Sequence, residues 1–248
     1  MKQPLKYSAD LAGIEVGETT ISDVRGDRGE LTYRGVLIEG LADQPFWRVV
    51  WLVLFGDFPS VEQEQQLRNF MVLNSRLDKN EIELLSQLPA DLHPMLMLQG
   101  MVPLLNLQAK SELPGVSSTA LDGLVIAAKL PGLIACWRQR ELGVSLLTAN
   151  AEAGLHEQFL MLFNGKAPSA KQLATLDTTQ ILQMEHSFNA GTFAGRVCAS
   201  TLAPIQSSIA ASIGTLFGVL HGGADQAALE MAMTIGDSSN APAYVENC

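Results

Sequence analysis

Apolar and polar positions alternate in period two through "ETTISDV", break at the turn residues "RGDRG", and alternate again through "ELTYRG", a pattern that predicts a β-hairpin over residues 18–35. Beyond residue 34 almost no strand signal remains, and apolar residues recur at the spacing of one helix face. "PFWRVVWLVLFG" reads as a short apolar helix ended by Gly56, and "SVEQEQQLRNFMVLNSRL" opens at Ser60 with a capping-type pattern. Apolar stripes then run through residues 93–108, 119–142, 150–165, 169–201 and 204–218, separated by Gly, Pro, Ser and Asn. "ADQAALEMAM" forms another stripe after two glycines, and "SSNAPAYVENC" begins a further helical pattern at Pro242. The predicted class is all-α and multi-helical with a small N-terminal β-hairpin, and no tandem period of about 20–50 residues suggests a solenoid.

Composition sharpens this picture in four places. The stretch "IQSSIAASIGTLFGVL" is interrupted by polar residues and falls short of the roughly 20 residues a bilayer requires, so a buried helix is expected rather than a membrane span. The N-terminal "MKQPLKYSADLAGIEVG" has no apolar run after its lysines, so no secretory signal is expected. A formal net charge of −10 with no Lys/Arg cluster argues against a nucleic-acid partner. Cys136, Cys198 and Cys248 show no metal-type spacing, which points to a reducing cytoplasm and no bound metal.

Chemistry rests on four histidines. His93 precedes Pro94 at a predicted helix start, and His156 falls at the boundary of an apolar stripe; both read as structural. His186 lies in "EHSFNAGTFAGRVCAS", read as helical, whose Ala190, Gly191, Ala194 and Gly195 permit a close backbone approach. Glycine inside a helix costs about 1 kcal/mol, so helix packing or ligand access must explain the two glycines. His221 precedes Gly222, Gly223 and a helix. At that N-terminus the macrodipole disfavours a second positive charge, which predicts a neutral imidazole able to donate to a carbonyl becoming an enolate.

The segments "LAGIEVGETTISDVRGDRGELTYRGVLIEGLA", "WLVLFGDFPS", "HPM", "LPGLIACW", "FLMLFNGKAP", "EHSFNAGTFAGRVCAST" and "GVLHGGADQAALEM" together resemble the citrate synthase family, including 2-methylcitrate synthases, from Leu11 to the end of the chain. The resemblance implies a large helical domain that forms a homodimer and condenses oxaloacetate with acetyl-CoA or propionyl-CoA, without a cofactor. It implies that His221 hydrogen-bonds the thioester carbonyl as the α-proton leaves, and that His186 binds oxaloacetate. Asn189, Gly191, Thr192, Gly222, Gly223 and Asp225 would surround these two. The chemistry is consistent, because a weakly acidic thioester needs a preorganised donor for its oxyanion as well as a base. The dimer is expected on the apolar and small-residue faces of 93–108, 120–138 and 205–235.

Ser187, Gly191, Val219 and Asp225 depart from the family's usual Glu, Ser, Pro and Asn. The family's catalytic aspartate, second catalytic histidine and dicarboxylate-clamping arginines would fall beyond Cys248. Residues 1–248 are therefore expected to be the large-domain portion, incomplete at the C-terminus and lacking the small domain, and inactive alone. Two other readings stand beside this one: a non-catalytic helical dimerisation module that kept the fold, and a citryl-CoA lyase relative.

Overall fold

A computed structural model describes residues 16–143 and 153–247, excluding the side chains of Ala224 and Asp225. The opening of the predicted resemblance from Leu11, the start of the element predicted from Asn150, Cys248 and the Asp225 side chain therefore lie outside the described residues. The hairpin forms as β1 (Ser22–Arg25) and β2 (Glu30–Tyr33), in antiparallel register with Ser22 opposite Tyr33. A short third strand, β3 (Val36–Leu37), joins it, so the predicted hairpin is a three-stranded sheet. Two residues give little alternation to read, which is why this strand was not predicted.

Eleven α-helices follow among the described residues. Helix α1 (Phe46–Phe55) stops where Gly56 adopts φ 98°, and α2 (Val61–Asn74) starts at a capping box between Ser60 and Gln63. Helix α3 (Lys79–Gln87) was not predicted, although Asp78 and Glu81 form a second capping box. Helix α4 (Pro94–Met101) ends earlier than its apolar stripe, which continues as a 3₁₀ turn over Val102–Leu104.

The long α5 (Ser118–Glu141) is the central post. It is long and apolar enough to cross a membrane, yet its apolar residues are spent on neighbouring helices: Leu124, Val125 and Ala128 pack with Trp51, Phe70 and Met71 of α1 and α2. Ile126, Leu133 and Trp137 pack with Leu85, Met97 and Met101 of α3 and α4. Its one buried cation, Lys129, lies 2.5 Å from Glu81 Oε1 and donates to the Asn106 carbonyl at 2.8 Å. Glu81 Oε1 also accepts from the Asn106 N–H, and Oε2 from the Asp78 N–H, so the buried carboxylate is fully partnered.

Helix α6 (Leu155–Asn164) ends at left-handed Gly165, and α7 (Ala170–Leu182) starts at a Ser169–Gln172 capping box. The apolar pattern over 169–201 predicted one continuous element. The structure divides it into α7 and α8 (Ala190–Ser200), with a loop over residues 183–189. Two groups break the helix: Ser187 takes φ 56°, and Asn189 caps α8 by accepting from the Thr192 N–H at 2.9 Å. Helices α9 (Ile205–Leu216), α10 (Gly223–Ile235) and α11 (Ala241–Glu246) complete the described chain.

Candidate active site

The functional residues sit around one helical hairpin. Helices α8 and α9 run antiparallel, joined by a tight turn at Thr201–Pro204, and their contact is close because α8 presents glycine. A Cβ at Gly191 would lie 3.3 Å from the Ser212 carbonyl oxygen, and one at Gly195 would lie 2.3 Å from Ser212 Oγ and 3.3 Å from the Ser208 carbonyl oxygen. Helix packing therefore accounts for both glycines, and ligand access is not needed to explain them. Since Gly191 opens α8 and Ser212 lies in the last turns of α9, the start of α8 and the end of α9 occupy the same end of the hairpin. His186 precedes that start and His221 follows that end, so the topology carries both histidines to one side.

His186 is exposed in the α7–α8 loop, not on a helix as its sequence pattern suggested. The loop is braced on both flanks. The Ser187 N–H donates to Glu185 Oε1 at 2.7 Å and to Ser22 Oγ at 2.9 Å, while the Ser22 hydroxyl donates to the same Glu185 oxygen at 3.1 Å. Phe188 packs 3.1 Å from where a Gly17 Cβ would stand, and the Arg196 guanidinium lies 4.7 Å from its ring centre. Below the loop, the Tyr33 hydroxyl donates to the Ile181 carbonyl and accepts from the Glu185 N–H. Burial, with the Glu185 carboxylate adding to it, raises this hydroxyl above the usual tyrosine pKa.

His221 is half-buried in the turn between α9 and α10, one residue before the N-cap, as predicted. Three backbone bonds close the turn: His221 N–H to Gly218 O at 2.9 Å, Gly222 N–H to Leu216 O at 2.9 Å, and Gly223 N–H to Gly218 O at 3.4 Å. A Cβ at Gly222 would stand 2.6 Å from the Leu216 carbonyl oxygen, so only glycine fits there. The N-cap of α10 is Gly222, which has no side chain with which to cap the helix. Among the described residues no carboxylate pairs with His221.

Of the predicted surroundings, Asn189, Gly191 and Thr192 form the capped start of α8, and Gly222 and Gly223 form the turn at His221. Asn189 and Thr192 meet through the helix cap. The structural histidines are also accounted for. His93 caps α4 by accepting from the Met95 N–H at 3.2 Å, and its ring lies 4.5 Å from that of Phe217, just ahead of the His221 turn. His156 Nδ1 lies 2.5 Å from Asp177 Oδ1 and its ring packs on Phe46.

A sizeable groove lies elsewhere. A groove of about 1030 Å³ between α1, α5, α6 and α7 is lined by Phe46, Trp47, Pro131, His156 and Phe159, and it reaches Glu185 but neither candidate histidine. Its lining is mostly hydrocarbon and aromatic, whereas the histidines occupy the hairpin end. Among the described residues no cluster of His, Cys, Asp or Glu could hold a metal ion. Sequence reasoning missed Ser22, Tyr33, Glu185, Phe188 and Arg196, because the contacts joining them span up to 165 positions. Only the acidic residue directly before His186 offered a local signal.

Comparison with known proteins places this geometry. The family model described as citrate synthase, C-terminal domain, matches residues 10–248. A 2-methylcitrate synthase of Shewanella oneidensis is 38% identical over 94% of this chain and 62% of its own length. A citrate synthase of Mycolicibacterium smegmatis is 32% identical over 95% of this chain and 63% of its length. The crystal structure of citrate synthase from Pyrobaculum aerophilum superposes with a TM-score of 0.85 at 28% identity, over 94% of this chain and 60% of that one. The chain thus spans about three fifths of the length of the relatives it matches.

Proposed function

Because the chain belongs to the citrate synthase family, we propose that it supplies the oxaloacetate and thioester-carbonyl side of an acyl-CoA condensation that makes citrate or 2-methylcitrate. One observation carries this reading: the α8–α9 hairpin brings His186 and His221 to one end, with His221 at the N-terminus of α10. In this arrangement His221 and the helix dipole stabilise the enolate oxygen that forms when the acyl α-carbon loses its proton. His186, held out from its braced loop, binds oxaloacetate beside it. The family's relatives include both citrate and 2-methylcitrate synthases, so acetyl-CoA and propionyl-CoA are both candidate donors.

Enolate formation also needs a base, and none among the described residues contacts His221. We therefore propose that these 248 residues alone turn over no acyl-CoA and, without arginines that match the family's dicarboxylate clamp, hold oxaloacetate weakly if at all. The test grafts residues 10–248 in place of the matching segment of a full-length 2-methylcitrate synthase and follows oxaloacetate-dependent release of CoA thiol from acetyl-CoA and propionyl-CoA. His221→Ala is expected to lower kcat by about 10²- to 10³-fold, the effect of losing one oxyanion donor. His186→Ala is expected to act mainly on the oxaloacetate KM. Unchanged kcat in the His221 variant overturns the assignment.

A homodimer is part of the same proposal. Leu104, Val219, Leu220, Leu229 and Met233 are more than half exposed on or beside the segments expected at the interface. A monomer by light scattering at micromolar concentration contradicts it. A cytoplasmic location is supported by the free Cys136 and Cys198 thiols.

A further inference from the structure

The residue after His186 holds a backbone conformation that a serine does not adopt unaided. Ser187 sits at φ 56°, in the left-handed region that costs a non-glycine residue roughly 1–2 kcal/mol. Such a conformation persists only where surrounding bonds enforce it. Here those bonds are identifiable. One oxygen of Glu185 accepts the Ser187 N–H at 2.7 Å and the Ser22 hydroxyl at 3.1 Å, and Ser22 Oγ itself accepts the same N–H at 2.9 Å. Ser22 is 7% exposed and anchored in β1, opposite Tyr33, whose hydroxyl holds the Glu185 N–H and the end of α7. The two residues flanking His186 are thus tied to the sheet.

We propose that Glu185, together with Ser22, is a positioning residue for His186: the pair forces the turn at Ser187 that directs the imidazole outward from the start of α8. This rests on reading His186 as the oxaloacetate ligand, but the positioning itself can be measured without substrate. It also gives the N-terminal sheet a task beyond covering α1 and α7, since β1 and β2 supply two of the three groups that fix the loop. Glutamine at 185 retains an oxygen able to accept both bonds, whereas alanine removes it.

The test labels the histidine rings of the 248-residue chain and records the His186 resonances in wild type and in Glu185→Ala, Glu185→Gln and Ser22→Ala. Glu185→Ala should move the His186 signals toward those of a free histidine and abolish the positive-φ coupling signature at Ser187. With residues 10–248 grafted into a full-length 2-methylcitrate synthase, oxaloacetate binding should weaken about tenfold, the effect of losing one hydrogen bond to a charged group. Glu185→Gln should restore both, and Ser22→Ala should give a smaller change in the same direction. If Glu185→Ala lowers the unfolding temperature while His186 and Ser187 keep their wild-type signals, the residue is merely structural and the proposal fails. If the wild-type graft shows no response to oxaloacetate, the substrate reading of His186 fails, and the ring and coupling shifts in the 248-residue chain still decide the positioning. Should Glu185→Ala not fold, Ser22→Ala decides by the same two signals.

Discussion

Replacing Gly195 by alanine tests the helical hairpin on which both histidines depend. In an unencumbered helix interior the change stabilises by about 1 kcal/mol. At this position the new Cβ would meet Ser212 Oγ at 2.3 Å and the Ser208 carbonyl oxygen at 3.3 Å. Ser212 can turn aside only by giving up the bond its hydroxyl donates to Ser208 O at 3.0 Å, worth about 1 kcal/mol. The carbonyl cannot turn aside, so α8 and α9 must separate slightly, and overpacking of this kind costs about 1–3 kcal/mol. Subtracting the gain in helix propensity leaves a net loss of about 1–3 kcal/mol. Urea unfolding followed by circular dichroism should show that loss as a lowered midpoint at unchanged slope. In a Ser212→Ala background the hydroxyl clash is gone while the carbonyl contact stays, so Gly195→Ala should cost about 1 kcal/mol less than in the wild-type background. A gain of about 1 kcal/mol in the wild-type background, as an open helix position would show, would refute the packing argument.

Three further substitutions probe the supports of this arrangement. Lys129→Met leaves the Glu81 carboxylate buried without its cation and should destabilise by about 3–5 kcal/mol in urea unfolding, whereas a loss below about 1 kcal/mol would show that the pair is solvated. Asp78→Ala removes the α3 cap and should cost about 1 kcal/mol near neutrality. Hydrogen bonding from the Glu81 N–H holds the Asp78 carboxyl below the usual aspartate value, so its contribution is present above the unfolded pKa and is lost as pH falls through the folded one. The gap between wild type and Asp78→Ala should therefore close in acid. Tyr33→Phe removes a buried donor to Ile181 O and should cost about 1–3 kcal/mol. Because the folded pKa of Tyr33 is raised, its contribution is complete below the unfolded value near 10 and declines as pH rises beyond it. The phenylalanine variant should lose that part of the alkaline sensitivity, and an unchanged stability profile above pH 10 would exclude the linkage.

What the chain discloses by pattern and what it withholds divide along the range of the interactions. Helices α1 and α2 were legible because Gly56 and the Ser60–Gln63 box act within a few residues of the ends they define. The His221 turn was legible for the same reason, since its three closing bonds all lie within residues 216–223. Helix α3 was overlooked although its Asp78–Glu81 box and the spacing of Ile82, Leu85 and Leu88 are local signals; what no local pattern discloses is that Glu81 is buried against Lys129, 48 residues away. The break between α7 and α8 was hidden because no glycine or proline stands between Gln183 and Asn189. Ser22, 165 positions from Ser187, helps impose the turn there, and local propensity carries no trace of that partner. Gly191 and Gly195 were visible as anomalies, but only the facing Ser208 and Ser212 decide between packing and ligand access.

The central claim is that His186 is held in place to receive oxaloacetate. It is tested most directly by titrating residues 10–248, grafted into a full-length 2-methylcitrate synthase, with oxaloacetate while following the ring signals of His93, His156, His186 and His221. The account predicts a saturable shift of His186, a smaller response at His221, and silence at His156, which is occupied by Asp177. In His186→Asn the saturable response should vanish while His221 keeps its resting position. A graft whose His186 signals stay fixed at high oxaloacetate, or whose response survives His186→Asn, would contradict the assignment.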